Sequence, residues 1–167
     1  MKDAVTQVGA AILRGKAALV PQKDINSLKI KSIVARMKKI LAKEEYGVAI
    51  AAPQLGAPLR IFVIAGKMFG NPTSQNASRG KDRVFINPEL VRASKKKNLM
   101  SEGCLSVRGV YGTVKRSEKA SVRARDEKGR NFTLHCSGVI AQIFQHELDH
   151  LEGVLLIDKA EEMTKEV

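Results

Sequence analysis

The sequence predicts a chain that mixes helices with hairpin-linked antiparallel strands, and three observations carry that expectation. Apolar residues between 25 and 43 recur at helical spacing. Residues 119 to 136 alternate apolar and polar positions about a Glu127-Lys128-Gly129 turn, as a hairpin does. Near the C-terminus, Gln145-His146-Glu147-Leu148-Asp149-His150 sets two of the three histidines four residues apart, which on a helix brings both imidazoles to one face.

At 167 residues and 44% hydrophobic, the chain can bury one core and is short for two, so residues 1–167 are read as a single domain. Lys2, Asp3 and Arg14 interrupt the apolar N-terminal residues, which excludes a signal-peptide core or a bilayer-spanning run there. We expect a cytoplasmic monomer with no membrane or DNA partner. The two cysteines, Cys104 and Cys136, offer no disulfide framework. A net charge of +12, with Lys95, Lys96 and Lys97 in a row, favours polyanionic neighbours such as RNA. Aromatics make up 4% of the chain, too few for a base-stacking surface.

Taken in order, residues 1 to 24 are expected to wrap the domain, with Ala11-Ile12-Leu13 and Ala17 to Val20 packing along a core edge. Ile30, Ile33, Val34, Met37, Ile40 and Leu41 then define an amphipathic helix ending near Lys43, with Asp24, Asn26 and Ser27 as candidate caps. The small-residue stretch from Tyr46 to Gly56 suits a close backbone approach. Leu59 to Ala65 reads as a buried strand, 66 to 81 as a long loop, and Arg83 to Asn87 and Glu89 to Ala93 as two short strands about Pro88. After the 119–136 hairpin, Ser137 and Gly153 bracket the histidine helix as caps. The last ten residues read as an exposed helix or tail.

The His-Glu-x-x-His pattern points to a metal site, because Val139, Ile143, His146 and His150 form one stripe and buried imidazoles need a partner. A third ligand is required. The longer zinc-protease pattern wants a histidine six residues after His150, where Leu156 stands. That leaves Cys104, Cys136, His135 or a distant carboxylate. Cys104 is preferred, since Gly103 before it gives the backbone freedom to present a thiolate from a tight turn.

The segments Gly47 to Gln54, Glu102 to Ser106 and Gln145 to His150, in this order and spacing, resemble the three motifs of peptide deformylases. The likeness extends through Ile86-Asn87-Pro88-Glu89 and the Val122 to Gly129 hairpin, covering roughly residues 8 to 158. The resemblance implies an α+β fold, with antiparallel strands packed around a central metal-binding helix. It implies that Cys104, His146 and His150 hold one divalent metal ion, iron(II) foremost, with zinc(II) or another divalent ion also suited. It implies that Glu147 is the general acid/base and that Gln54 and the Leu105 N–H hold the carbonyl oxygen. Val48, Ala49, Gly103, Val139 and Ile143 are expected to line the substrate, and Glu102 and Arg116 to form a supporting ion pair.

The implied reaction is removal of the formyl group from N-formyl-methionyl peptides at the ribosome or on the nascent chain, releasing formate. Two alternatives are another His-Glu-x-x-His peptidase and a catalytically weak homologue that binds peptide ends or ribosomal RNA. The chain departs from the family pattern at Ala49, where glycine is usual, and at Arg108, where the motif usually continues with proline. It also ends soon after Ile157, without the long C-terminal helix that some members use at the ribosome. Alanine at 49 strains the backbone if φ there is positive and narrows the cleft if it is negative.

Overall fold

A computed structural model describes residues 4–69 and 80–165; most of the expected 66–81 loop lies outside the described residues. The first helix, α1, spans Leu28–Lys43, and Ser27 caps it by accepting a hydrogen bond from the Ile30 N–H at 3.3 Å. Five strands, β1 (Ala49–Ala51), β2 (Ile61–Ile64), β3 (Arg83–Ala93), β6 (Lys119–Arg125) and β7 (Asn131–Ser137), form one antiparallel sheet in the order β1-β2-β3-β6-β7. Three more, β4 (Lys97–Cys104), β5 (Val107–Ser117) and β8 (Glu162–Lys165), form a second sheet in the order β4-β5-β8. The histidine helix α2 spans Gly138–Leu151, and a short α3 covers Leu156–Lys159.

The period-two geometry of strands explains why β2 is apolar throughout. Its Ile61 and Val63 join Val84, Ile86 and the buried face of α1 in one cluster. Phe62 and Ile64 join Phe85, Ala120, Val122 and the α2 residues Ala141, Phe144 and Leu151 in another. Both faces of the central strands are therefore covered, each by a helix. Phe62 and Phe85 stack at 4.5 Å between centroids, and Phe144 meets Phe85 edge-on at 5.5 Å. Each such buried ring is worth about 2–3 kcal/mol in water-excluded area.

Three expectations about elements change. The two short strands about Pro88 are one strand, with a register shift between Ile86 and Glu89. Asn87 sits at φ 51° there, and its side-chain amide bonds both the N–H and the C=O of Val20, anchoring the N-terminal segment. The C-terminal residues expected as an exposed helix or tail instead pair as β8 with β5. Ser137 stands at the N-cap of α2 without a side-chain cap bond, whereas Gly153, at φ 75°, ends the helix as expected. A Cβ on Gly153 would meet the Arg14 carbonyl oxygen at 2.4 Å, so the N-terminal segment crosses there as well.

Candidate active site

The site assembles where the β4–β5 turn meets α2. Cys104 ends β4, and its sulfur lies 3.3 Å from His150 Nε2. The ligand atoms of Cys104, His146 and His150 all fall within 4.8 Å of one another. A tetrahedral ion with bonds of about 2.3 Å to sulfur and 2.0–2.1 Å to nitrogen would separate its ligands by about 3.3–3.6 Å, so small side-chain adjustments would close the set around one ion. Cys136 and His135 are not part of it. Cys136 lies on β7, where burial pushes its thiol up, and His135 Nδ1 is 2.7 Å from the Ser121 hydroxyl.

His146 Nδ1 faces Glu102 Oε2 at 2.8 Å, which leaves Nε2 for the cluster. Glu102 in turn accepts two hydrogen bonds from Arg116, at 2.6 and 2.9 Å, and the third arm of that guanidinium reaches Asp149 at 2.6 Å. Arg116 is 2% exposed, so this is a buried charge network rather than a surface pair. Burial works against the Glu102 charge, but the Arg116 and His146 hydrogen bonds outweigh it and hold the carboxyl at about 2. Burial also opposes the charge on His146, yet hydrogen bonds to Cys104 and Glu102 hold it up to about 10, so a proton competes with any metal for this ring.

Glu147 follows the opposite course. It is buried on the cleft side of α2, and its Oε2 has no hydrogen-bond partner among the described residues. Burial is the main cause that pushes its carboxyl up to about 7, with the Glu102 charge acting in the same direction. An orphaned buried carboxyl oxygen beside a cysteine-histidine cluster fits a site built for a metal ion and its water.

Gln54, in a short 3-10 turn after β1, is 2% exposed. Its Oε1 accepts the Ala51 N–H at 2.8 Å, which turns Nε2 towards Ser106 Oγ at 3.0 Å and the Cys104 sulfur at 3.7 Å. The Ser106 N–H also points at that sulfur, at 3.4 Å. Leu105 lies in the same turn. A cleft of about 470 Å³ runs past Val48, Ala49, Gln54, Gly103, Leu105, Val139, Ile143, His146 and Glu147. Arg108 reaches Glu44 at 2.7 Å, joining two of the residues that line this cleft.

Two local readings change. Gly103 is not among the residues at positive φ; it faces Tyr111 across the hairpin, and a Cβ there would meet the Tyr111 ring at 3.0 Å. Room for that ring, rather than conformational freedom, is what glycine supplies. Ala49 is likewise not at positive φ, so the strained alternative falls away and its methyl packs in the core cluster of Phe62 and Phe144. Several supporting groups escape sequence reasoning. The Thr6 N–H donates to the Gln54 carbonyl at 2.7 Å, the Val8 N–H to the Ser106 carbonyl at 2.8 Å, and Gln7 Nε2 to the Leu105 carbonyl at 3.0 Å. Gln145 clasps both backbone groups of Ser117, tying α2 to β5. The main-chain contacts leave no motif, and Gln145, though it opens the third motif, carries no mark of this role in the sequence.

A family model described as polypeptide deformylase matches residues 2–166. The peptide deformylase of Dictyoglomus turgidum is 38% identical over 158 residues, spanning 95% of this chain and 92% of that one. Peptide deformylase 1A, chloroplastic, of Solanum lycopersicum is 34% identical over 162 residues, and the chain spans 58% of its length. Among solved structures, the class I type b peptide deformylase of Acinetobacter baumannii with bound Met-Ala-Ser superposes with a TM-score of 0.81 at 32% identity, covering 93% of this chain and 97% of that one.

The network makes a stability prediction. Arg116→Met strands Glu102 and Asp149 without their shared cation, so unfolding free energy should fall by about 3 kcal/mol and the melting temperature by about 10 °C. The sign with pH follows from Glu102: a carboxyl depressed from 4.5 to about 2 contributes stability above pH 4.5 that is lost as pH falls towards 2. The gap between wild type and variant in thermal melts should therefore narrow across that window. Equal melting of the two proteins at pH 7 would show the network to be energetically idle.

Proposed function

We propose, from the premise that this chain belongs to the peptide deformylase family, that residues 1–167 form one catalytic domain that hydrolyses the N-formyl group of formyl-methionyl peptides to formate and a free amine. The observation that carries this reading is the Glu147 carboxyl, raised to about 7 and unpartnered, beside the Cys104, His146 and His150 cluster in an open cleft. No described helix is long and apolar enough to cross a membrane. A cytoplasmic monomer meeting nascent chains at the ribosome is the setting that suits this chemistry and the +12 charge.

Cys104, His146 and His150 would hold the metal, iron(II) foremost, with zinc(II) or another divalent ion compatible with the same donors. Such an ion supplies Lewis acidity, making a water at the site acidic near neutrality and drawing charge from the formyl carbonyl. Glu102 fixes the tautomer and orientation of His146 through Nδ1. Glu147 takes the proton of the attacking water on a carboxylate oxygen and passes it to the leaving nitrogen. Gln54 Nε2, oriented by the Ala51 N–H, and the Leu105 N–H donate to the oxygen on which charge accumulates. Val48, Ala49, Gly103, Val139 and Ile143 form the walls along which the methionyl end of the peptide lies.

The direct test is release of formate from formyl-Met-Ala-Ser by protein supplied with iron(II) under anaerobic conditions. Turnover supports the assignment. Cleavage within an unformylated peptide, with no formate from the formylated one, overturns it in favour of a peptidase. On the metal, elemental analysis should find Cys104→Ala, His146→Ala and His150→Ala each depleted several-fold while Cys136→Ala stays loaded. A fully loaded Cys104→Ala protein would remove Cys104 from the ligand set.

Chemistry separates from binding in Glu147→Gln, which keeps the shape and loses the base. Its metal content should be unchanged while kcat falls about a hundredfold or more. In the wild type, kcat/KM should drop about tenfold per unit as pH falls below about 7, because protonated Glu147 accepts no proton from water. The variant should lack that limb. A variant retaining both rate and limb would assign the base elsewhere.

A further inference from the structure

Where the ends of β3, β6 and β7 meet lies a second concavity, of about 740 Å³, that none of the site residues lines. Register explains its composition. Arg92 of β3 pairs with Ser121 of β6, and Ser121 with His135 of β7, so the three side chains stand in one row. Lys119 pairs with Ser137 in the next row. The bend after β3 adds Ser94, whose hydroxyl accepts the Lys119 N–H at 3.0 Å, and Lys95. The lining thus holds three cations, one imidazole and three hydroxyls, and no carboxylate.

The nearby acids are already engaged. Glu118 pairs with Lys96 at 2.8 Å and Glu89 with Arg123 at 2.8 Å. Among the described residues, Arg92, Lys95 and Lys119 take part in no ion pair, and all three are exposed. On a protein of net charge +12, three cations outside any ion pair, set around a hollow floored by Ala93, Ala120 and Cys136, give a local positive potential, eased only at Lys119 by the neighbouring Glu118. Ser94 donates to the Lys96 carbonyl and Ser121 pairs with His135 Nδ1, so the remaining hydrogen-bonding capacity for anionic oxygens lies with His135 Nε2 and the Ser137 hydroxyl.

We propose that this hollow binds the phosphodiester backbone of RNA. The lining has no Phe, Tyr or Trp to stack a base, and its cations outnumber its one imidazole, so recognition would be chiefly of phosphates and largely independent of sequence. RNA is the polyanion met by an enzyme acting on nascent chains, and in that respect the inference rests on the deformylase reading. Deformylation and RNA binding are read separately, so failure of one does not imply failure of the other.

The test is fluorescence anisotropy of a labelled mixed-sequence 16-nucleotide RNA with the metal-loaded full chain. Three phosphate contacts should give a slope of log K against log salt near −2, at about −0.7 per contact. Arg92→Glu/Lys95→Glu/Lys119→Glu should weaken binding at least tenfold and flatten that slope. A control, Lys23→Glu/Lys29→Glu/Lys31→Glu, makes the same change in net charge at exposed positions on and before α1, and should weaken binding no more than about twofold. Both variants should melt as the wild type does and turn over formyl-Met-Ala-Ser at its rate. Equal losses in the two triple variants would reduce the effect to net charge, and polyglutamate competing as well as RNA of equal charge would make the hollow a site for acidic protein; either result overturns the proposal.

Discussion

The arrangement depends on one buried cation. Arg116 lies on β5, Glu102 on β4 and Asp149 on α2, so its guanidinium joins three elements that bring the candidate ligands together. Arginine stays protonated at any ordinary pH, and burying that charge is tolerable only where carboxylates meet it. Each of its arms is therefore a positional constraint. Two fix Glu102, which orients His146, and the third holds α2 one residue from His150. Lys159 Nζ meets the other Asp149 oxygen at 2.7 Å, which extends the constraint to α3.

The same neighbourhood keeps two carboxyls in opposite states. Glu102 gains more from Arg116 and His146 than it loses by burial, so it remains an anion throughout the working range. Glu147, one residue along the helix from His146, is buried without such partners and shares the site with the Glu102 charge, so its proton affinity rises to near neutrality. Divergent environments, rather than different residue types, separate a carboxyl held as an anion from one whose proton affinity lies near neutrality. Placing a second arginine within reach of Glu147 would abolish that division.

What was legible in the sequence was whatever repeats with a period or carries reactive groups. The apolar steps of α1, the alternation of β6 and β7 and the His-Glu-x-x-His spacing all report burial on one side of an element. The hairpin that presents Cys104 carries no strand signal in the sequence, because Lys97, Asn98 and Leu99 are all exposed and the alternation fails. Cys104 itself is legible twice, by elimination among the candidate third ligands and through the three joined motifs. β8 was missed for a related reason: all four of its residues are exposed, and its pairing with β5 is a main-chain affair to which side chains contribute little. Gly103 shows a subtler failure, since sequence alone cannot distinguish a glycine needed for its torsion from one needed to clear the Tyr111 ring.

The N-terminal strap has a consequence for the order in which the site matures. Thr6, Gln7 and Val8 are synthesised first, yet their partners at Gln54, Leu105 and Ser106 are translated roughly fifty to a hundred positions later. Closing such long chain loops carries an entropic cost that only prior structure at the far end can offset. The Gln7 and Val8 contacts can therefore close only once the β4–β5 turn is in place to receive them. Gln54 and the turn that carries Cys104 are thus held in part by a segment translated long before its partners, so the final geometry of the candidate site comes late in the life of the chain.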